Sequence, residues 1–181
     1  MAKYFKDLPE ILFAKKIVLQ YGFSFDTLPI KVEQIIQDHN ITLSEEDLPD
    51  DVSGVLDTRK NPIILINQKD QQTRKRFTMA HELGHFLFHA RQPSVYMDTK
   101  TYFRNSLSSE GKYNDEKQAN RFASELLIPT HILLNILDEN TNFSNATDDE
   151  DDIIQELARK FEVSTSAFVI KLSGVLKAQR Y

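Results

Sequence analysis

The chain has 181 residues, of which 40% are hydrophobic and 27% charged, and this balance allows one compact domain with a hydrophobic core, with or without a small appendage. The formal net charge of -5 has the wrong sign for binding a polyanion, so nucleic acid is not the expected partner. Cysteine is absent, which excludes a disulfide framework and leaves only nitrogen and oxygen ligands for a metal ion.

The N-terminal third predicts two helices followed by strands. Its first residues mix charge with apolar side chains, so we expect neither a signal peptide nor a membrane span and place the protein in the cytoplasm. The run LPEILFAKKIVLQYG predicts an amphipathic helix ending near Gly22, and Val32 to His39 predicts a second one, closed by Asn40. Three β-type runs follow in ITL, VSGVLDT and PIILIN. The turn signal Asn61-Pro62 makes the second and third runs a hairpin, so we predict a small three-stranded sheet packed on one side by helices.

The next predicted helix, Gln71 to His89, contains the pattern His-Glu-Leu-Gly-His at residues 81–85. Residues four apart lie on one face of a helix, so His81 and His85 can direct a ring nitrogen at the same metal ion. Glu82 follows the first histidine, where its carboxylate can lie beside a water molecule and take its proton during attack on a carbonyl. The alternative is a buried helix whose two histidines serve only the core.

A long irregular loop is predicted for residues 91–111, which contain a proline, serines and aromatic residues without a clear period. Tyr96, Tyr102 and Tyr113 lie in or just beyond it and could offer a hydroxyl to a developing oxyanion. Packing is the favoured interpretation of these tyrosines, and none is assigned a catalytic role.

A catalytic zinc ion usually has three protein ligands, so the two histidines need a partner. His89 is excluded, because it lies about 12 Å along the helix axis from His81 at a rise of about 1.5 Å per residue. Glu116 is the better candidate, because it continues the apolar stripe of a helix predicted from Tyr113 to Leu127. A carboxylate on a buried face is favourable in its ionised form only beside a cation.

A salt bridge from Glu116 to Arg74 or Arg76 is the alternative to metal binding. Glu125 lies nine residues further along the same predicted helix, about 180° around its axis. We therefore expect Glu125 to face water.

The C-terminal region predicts three more helices. The first extends from Pro129 to Leu137 and is followed by a polar linker at residues 140–147. The run DIIQELARKFEVSTSAFVIKLSGVLKAQRY predicts two helices joined near Val163, with Ser164 or Thr165 capping the second. The predicted fold class is therefore α+β, mostly helical with a small three-stranded sheet and a C-terminal helical pair.

Three segments together resemble the ImmA/IrrE family of bacterial and phage metallopeptidases: GVLDTRKNPIILIN, RKRFTMAHELGHFLFH and EKQANRFASELLIP. The likeness extends from about Val52 to Pro129, with a looser match at LARKFEVSTSAFVIKL. Its paired signature is His-Glu-x-x-His followed about thirty residues later by Glu-x-x-Ala-Asn-x-Phe-Ala. The resemblance implies His81, His85 and Glu116 as zinc ligands and Glu82 as the general base, in agreement with the assignments above.

Family members typically cut helix-turn-helix repressors, often encoded beside them in phages and mobile elements, to release stress or transfer genes. The resemblance therefore implies a gluzincin-like zinc endopeptidase that relieves repression by cleaving such a partner. We expect the metallopeptidase domain over residues 1–139 and a helix-turn-helix-like helical pair, residues 140–181, packed on it. The second helix of this pair offers only Lys171 as a cation in STSAFVIKL, so DNA contact is not expected.

Two other classes of function stay open. A non-enzymatic regulator, such as an anti-repressor or a toxin–antitoxin component, would bind a protein stoichiometrically and use the metal only to hold the fold. A DNA-binding stress regulator would act through the C-terminal helices, and the net charge counts against it. Zinc is inferred from the ligand types, which constrain the metal only loosely.

Overall fold

The computed structural model describes residues 8–90, 92–99, 110–139 and 150–179, which form seven helices, four strands and a 3₁₀ turn. In chain order these are α1 (Pro9–Gln20), the 3₁₀ turn Phe25–Thr27, α2 (Val32–Asp38), β1 (Thr42–Glu46), β2 (Val52–Asp57), β3 (Ile63–Asn67), α3 (Gln72–His89), β4 (Val95–Thr99), α4 (Glu110–Leu127), α5 (Thr130–Glu139), α6 (Glu150–Phe161) and α7 (Thr165–Gln179). The class is α+β, as predicted. Tyr102 and the predicted linker at residues 140–147 lie outside the described residues.

The helices end where local signals predict. Gly22 follows α1 with φ of 67°, and Asn40 follows α2 with φ of 57°, so both residues occupy the left-handed region that favours glycine and asparagine. Ser164 caps α7, because its Oγ accepts a hydrogen bond from the backbone N–H of Ala167 at 3.2 Å. These three predictions are confirmed.

The sheet has four strands in the order β1-β3-β2-β4. Strands β2 and β3 pair antiparallel, with Gly54 opposite Ile66 and Asp57 opposite Ile63, which confirms the predicted hairpin. Strand β1 pairs with β3 in parallel, and β4 pairs with β2 antiparallel. The prediction of three strands was wrong by one, because β4 occupies part of the predicted irregular loop.

Strand β4 exposes its apolar side chains and buries a charged one, so a search for buried apolar residues does not find it. Its apolar side chains, Val95 and Met97, are 43% and 51% exposed, whereas its buried side chain is the carboxylate of Asp98. The charge of Asp98 is satisfied because Arg74 Nη2 donates to its Oδ2 at 2.8 Å. Sequence patterns identify strands by buried apolar residues, so a strand that buries a paired charge is missed.

The described residues divide into two compact units. One unit, Lys31–Ala123, contains the sheet, α2, α3 and most of α4. Its core consists of Val32, Ile35, Ile36, Ile41, Val52, Leu56, Ile64, Ile66, Met79, Ala80, Leu83, Ala119, Phe122 and Ala123. The predicted metal helix therefore belongs to the unit that contains the sheet.

The other unit consists of the described residues up to Ile30 and from Ser124 onward. It contains the C-terminal helical pair, in which the rings of Phe161 and Phe168 are 5.8 Å apart between α6 and α7. The boundary predicted between residues 139 and 140 borders a segment outside the described residues and stays a prediction. No helix within the described ranges is both long and apolar enough to span a membrane.

Glu125 was expected to face water, and this expectation was wrong. Only 2% of the residue is exposed, and its carboxylate accepts hydrogen bonds from the backbone N–H and the hydroxyl of Thr130 at 3.0 and 2.7 Å. Lys171 Nζ on α7 lies 2.5 Å from Oε2 of Glu125. The charge is buried because it caps the start of α5 and is neutralised by a lysine.

Candidate metal centre

The pattern HELGH lies on a stretch of α3 that is closed to solvent. His81, Glu82 and His85 are 1%, 0% and 2% exposed. The one-turn separation of the histidines places their Nε2 atoms 3.0 Å apart. The structure therefore brings together the two side chains that the sequence predicted would share an ion.

Glu116 on α4 completes this group. Its Oε2 lies 3.3 Å from Nε2 of His81, its Oε1 lies 3.3 Å from Nε2 of His85, and its side chain is 23% exposed. One potential ligand atom from each of the three residues lies within 4.8 Å of the others. Arg74, one of the two cations considered as an alternative partner, donates instead to Asp98. The predicted third ligand thus lies beside both imidazoles.

The chemistry of these residues fits a divalent cation. Two imidazole nitrogens and a carboxylate are a donor set that zinc takes in sites with an open coordination position. Both carboxylate oxygens of Glu82 are buried without a hydrogen-bond partner among the described residues. Such an orphaned carboxylate is unfavourable unless a cation or water lies beside it. The donor set and the unpartnered oxygens of Glu82 are therefore both consistent with a site that holds a metal ion and water.

Burial and neighbouring charges shift the proton affinities of the group. Burial raises the pKa of Glu82 to about 8, and the charges of Asp98 and Glu116 add to this effect. Burial also lowers the pKa of His85. Burial also disfavours the charged form of His81. The hydrogen bond to Glu116 and the charges of the nearby carboxylates outweigh this effect of burial and raise the pKa of His81. For Glu116, burial is outweighed by the two histidines, which hold its pKa below the ordinary range.

Two further side chains contact the imidazoles from outside. Oδ1 of Asn120 on α4 lies 3.0 Å from Nδ1 of His81. The ring of Tyr96 stacks on His85 at a centroid distance of 5.1 Å and an angle of 21°. The Tyr96 hydroxyl donates to the backbone carbonyl of His89 at 2.8 Å, which agrees with the favoured packing interpretation.

The remaining aromatic and histidine candidates lie outside the ligand group. Tyr113 is 42% exposed, and the ammonium of Lys117 lies 3.9 Å from its ring centroid. Nδ1 of His89 lies 3.4 Å from Oδ1 of Asp115, and His89 does not belong to the group of potential ligands. The exclusion of His89 as a ligand therefore agrees with the structure.

Sequence reasoning missed three residues that shape the site. Asn120 lies one helical turn after Glu116, and this spacing could have identified it as a neighbour of the same ion site. Asp98 was missed with its strand. Gly54 on β2 was missed because its role depends on space: a Cβ atom there would collide with Cγ2 of Thr78 and lie 3.4 Å from Oε1 of Glu82.

The comparisons with known proteins agree with this geometry. The family Peptidase_M78, described as the IrrE N-terminal-like domain, matches residues 36–173. This range contains the whole sheet, the HELGH helix, Glu116 and most of the C-terminal pair. It covers more than half of the chain.

One relative is the "Uncharacterized immunity region protein 2" of Bacillus phage phi105, which is 36% identical over 86 residues. The match covers 48% of this chain and 49% of the phage protein, about half the length of each. A solved structure of a Mycobacterium tuberculosis transcriptional regulator matches with a TM-score of 0.63 at 17% identity, covering 91% of this chain and 46% of the regulator. At that identity the likeness establishes the fold alone.

Proposed function

The chain belongs to the Peptidase_M78 family, the IrrE N-terminal-like domain, and from this membership we propose that it is a zinc-dependent endopeptidase. We further propose that its substrate is a helix-turn-helix repressor, whose cleavage relieves repression. The similarity to a phage immunity region protein supports a role in regulating a mobile element. The observation that carries the proposal is the convergence of Nε2 of His81, Nε2 of His85 and the carboxylate of Glu116 beside the buried Glu82.

His81, His85 and Glu116 would hold the metal. Zinc would supply Lewis acidity to the scissile carbonyl and to a water molecule at the site. The two neutral imidazoles contribute no charge, so Glu116 provides the negative charge of the ligand set. Because helix α3 is buried here, its residues also exclude bulk water, which strengthens electrostatic interactions within the site.

Glu82 would act as the general base. Its carboxylate would accept a proton from the attacking water and deliver it to the nitrogen of the leaving amine. Burial alone raises the pKa of Glu82, whereas a cation held by His81, His85 and Glu116 would favour the ionised form of Glu82, which is the form that accepts a proton. Glu82 does not belong to the group of potential ligands, so it stays available for this role.

The C-terminal helical pair supports a protein partner better than DNA. Lys171, the one cation of the segment STSAFVIKL, is paired with Glu125. Val169 and Ile170 on the same helix are 39% and 74% exposed. An apolar surface of this kind does not provide the phosphate contacts that groove binding requires.

The test uses purified chain and a helix-turn-helix repressor sought among the products of the genes adjacent to its own. Substoichiometric zinc-loaded protein should convert excess repressor into two fragments, detected by electrophoresis and mass spectrometry, and a chelator should stop the reaction. Glu82→Gln should keep its zinc and lose about 100-fold or more in rate. Glu156→Gln makes the same change at an exposed position on α6 and should cut at the wild-type rate.

The outcomes separate the two classes of function. Cleavage at the wild-type rate by Glu82→Gln would contradict the proposed mechanism. A one-to-one complex with intact repressor would favour the non-enzymatic regulator instead.

A further inference from the structure

We propose that Asn120 is a positioning residue that fixes the tautomer of His81, so that Nε2 of this histidine is the atom offered to the metal. The inference rests on the proposed metal site and does not require peptidase activity. It starts from the 3.0 Å contact between Nδ1 of His81 and Oδ1 of Asn120.

The tautomer of His81 decides whether it can bind a metal through Nε2. A neutral imidazole has one N–H group and one lone pair. When Nδ1–H donates to Oδ1 of Asn120, the lone pair is on Nε2, which faces His85 and Glu116. If the amide were turned so that its NH₂ group faced Nδ1, the proton would move to Nε2 and block the ligand position. Only the first arrangement supports metal binding.

Water has little opportunity to replace Asn120. His81 is 1% exposed, so its Nδ1 depends on a protein acceptor rather than on bulk solvent. An amide oxygen 3.0 Å away satisfies this donor in good hydrogen-bond range. Outer contacts of this kind orient ligating histidines and raise their basicity.

Helix α4 places Asn120 through the same geometry that places Glu116. The two residues are one turn apart and therefore lie on the same helix face. Between them, Ala119 packs against Gly84 of α3, which brings the two helices close. One face of α4 thus supplies both a proposed ligand and the group that orients another ligand.

The contacts of His85 differ from those of His81, and they do not determine the tautomer of His85. Nδ1 of His85 is buried without a hydrogen-bond partner among the described residues. Its ring is instead stacked on Tyr96. Stacking fixes the plane of a ring but does not select which nitrogen carries the proton. We therefore assign selection of the tautomer to Asn120 at His81 alone.

The first test is ¹⁵N NMR of the imidazoles in the metal-free protein at a pH above the pKa of His81, where this imidazole is neutral. The wild-type spectrum should show the single ring proton of His81 on Nδ1. A spectrum showing the proton of neutral His81 on Nε2 would overturn the proposal, and this measurement needs no variant. The result is independent of whether any repressor is cleaved.

The second test measures zinc affinity by competition with a chromophoric chelator. Asn120→Leu should lower affinity about 10- to 100-fold and abolish the preference for Nδ1–H. Asn120→Asp keeps an oxygen acceptor and should restore both the tautomer and an affinity at or above that of the wild type. Asn114→Leu makes the matched change at an exposed asparagine of α4 and should bind zinc as the wild type does. Wild-type affinity and tautomer in folded Asn120→Leu, or failure of Asn120→Asp to restore them, would overturn the assignment.

Discussion

Gly84 on α3 lies so close to Ala119 on α4 that a Cβ atom built on the glycine would be 3.2 Å from the Cα atom of Ala119. The same Cβ atom would be 3.1 Å from Cδ1 of Phe122. Gly84 lies inside the HELGH pattern, and Ala119 lies between Glu116 and Asn120. The two helices can therefore approach this closely at the proposed metal site because Gly84 has no Cβ atom.

Gly84→Ala should weaken both metal binding and the fold. Overpacking costs about 1–3 kcal/mol, while alanine returns about 1 kcal/mol of helix propensity. The backbone of Ala119 cannot move without shifting α4, so Glu116 would move away from both imidazoles. We expect a net loss of up to about 2 kcal/mol in unfolding free energy and at least about a tenfold loss in zinc affinity.

Gly174→Ala is the matched control for this change. Gly174 lies on α7 with nothing within 4 Å of the added Cβ atom. Alanine there should stabilise the protein by about 0.5–1 kcal/mol without changing zinc affinity. Wild-type zinc affinity in Gly84→Ala would show that the spacing of the helices does not control the site.

Glu116→Ala should lose zinc binding and the stabilisation that zinc provides. At a free zinc concentration about 100 times the dissociation constant, the wild-type protein should gain about 2.7 kcal/mol in unfolding free energy by linkage. The variant should show little of this gain, because only two of the three proposed ligands, His81 and His85, would remain to bind zinc. Calorimetry with and without zinc measures the effect, with Glu156→Ala as the exposed control. Elemental analysis that finds unchanged zinc content in Glu116→Ala would reject this residue as a ligand.

The core of the proposed site was predictable because its information is local. His81 and His85 are related by one helical turn, and Glu116 stands out as a charge on an apolar stripe. Both features follow from the 3.6-residue period and need no knowledge of the tertiary fold. In the structure, the predicted faces of α3 and α4 lie against each other.

What escaped prediction depends on contacts between distant segments. Asp98 is buried because Arg74, 24 residues away in sequence, pairs with it. Glu125 is buried because Lys171, 46 residues away, does the same. The local sequence around a charged residue does not indicate which distant residue will pair with it. Both β4 and the burial of Glu125 were missed for this reason.

Gly54→Ala should destabilise the fold through one identifiable collision. The new Cβ atom would meet Cγ2 of Thr78 and would lie 3.3 Å from the backbone oxygen of Leu65. We expect a loss of about 1–3 kcal/mol, measured by chemical denaturation. Thr78→Ser removes Cγ2 but keeps the hydroxyl, which lies 3.5 Å from Oδ2 of Asp98. The double variant should therefore be more stable than the sum of the single changes predicts, by about 0.5–3 kcal/mol. Strict additivity would mean that the collision with Thr78 is not the cause.

Lys171→Met should destabilise the protein because it leaves a buried carboxylate without its cation. The side chain of Glu125 is 3% exposed, and removal of one partner of a buried ion pair costs about 3–5 kcal/mol. Methionine keeps the apolar stem of the lysine, so the loss reports the charge rather than packing. Equilibrium unfolding in denaturant measures it.

Glu125→Gln in the Lys171→Met background should recover much of that loss. Glutamine carries no charge, and its side-chain oxygen can still accept the backbone N–H of Thr130, which Oε1 of Glu125 accepts at 3.0 Å. Lys177→Met, at an exposed position of the same helix, should change stability by no more than about 0.5 kcal/mol. If the double variant were as unstable as Lys171→Met alone, the unpaired charge of Glu125 would not be the source of the loss.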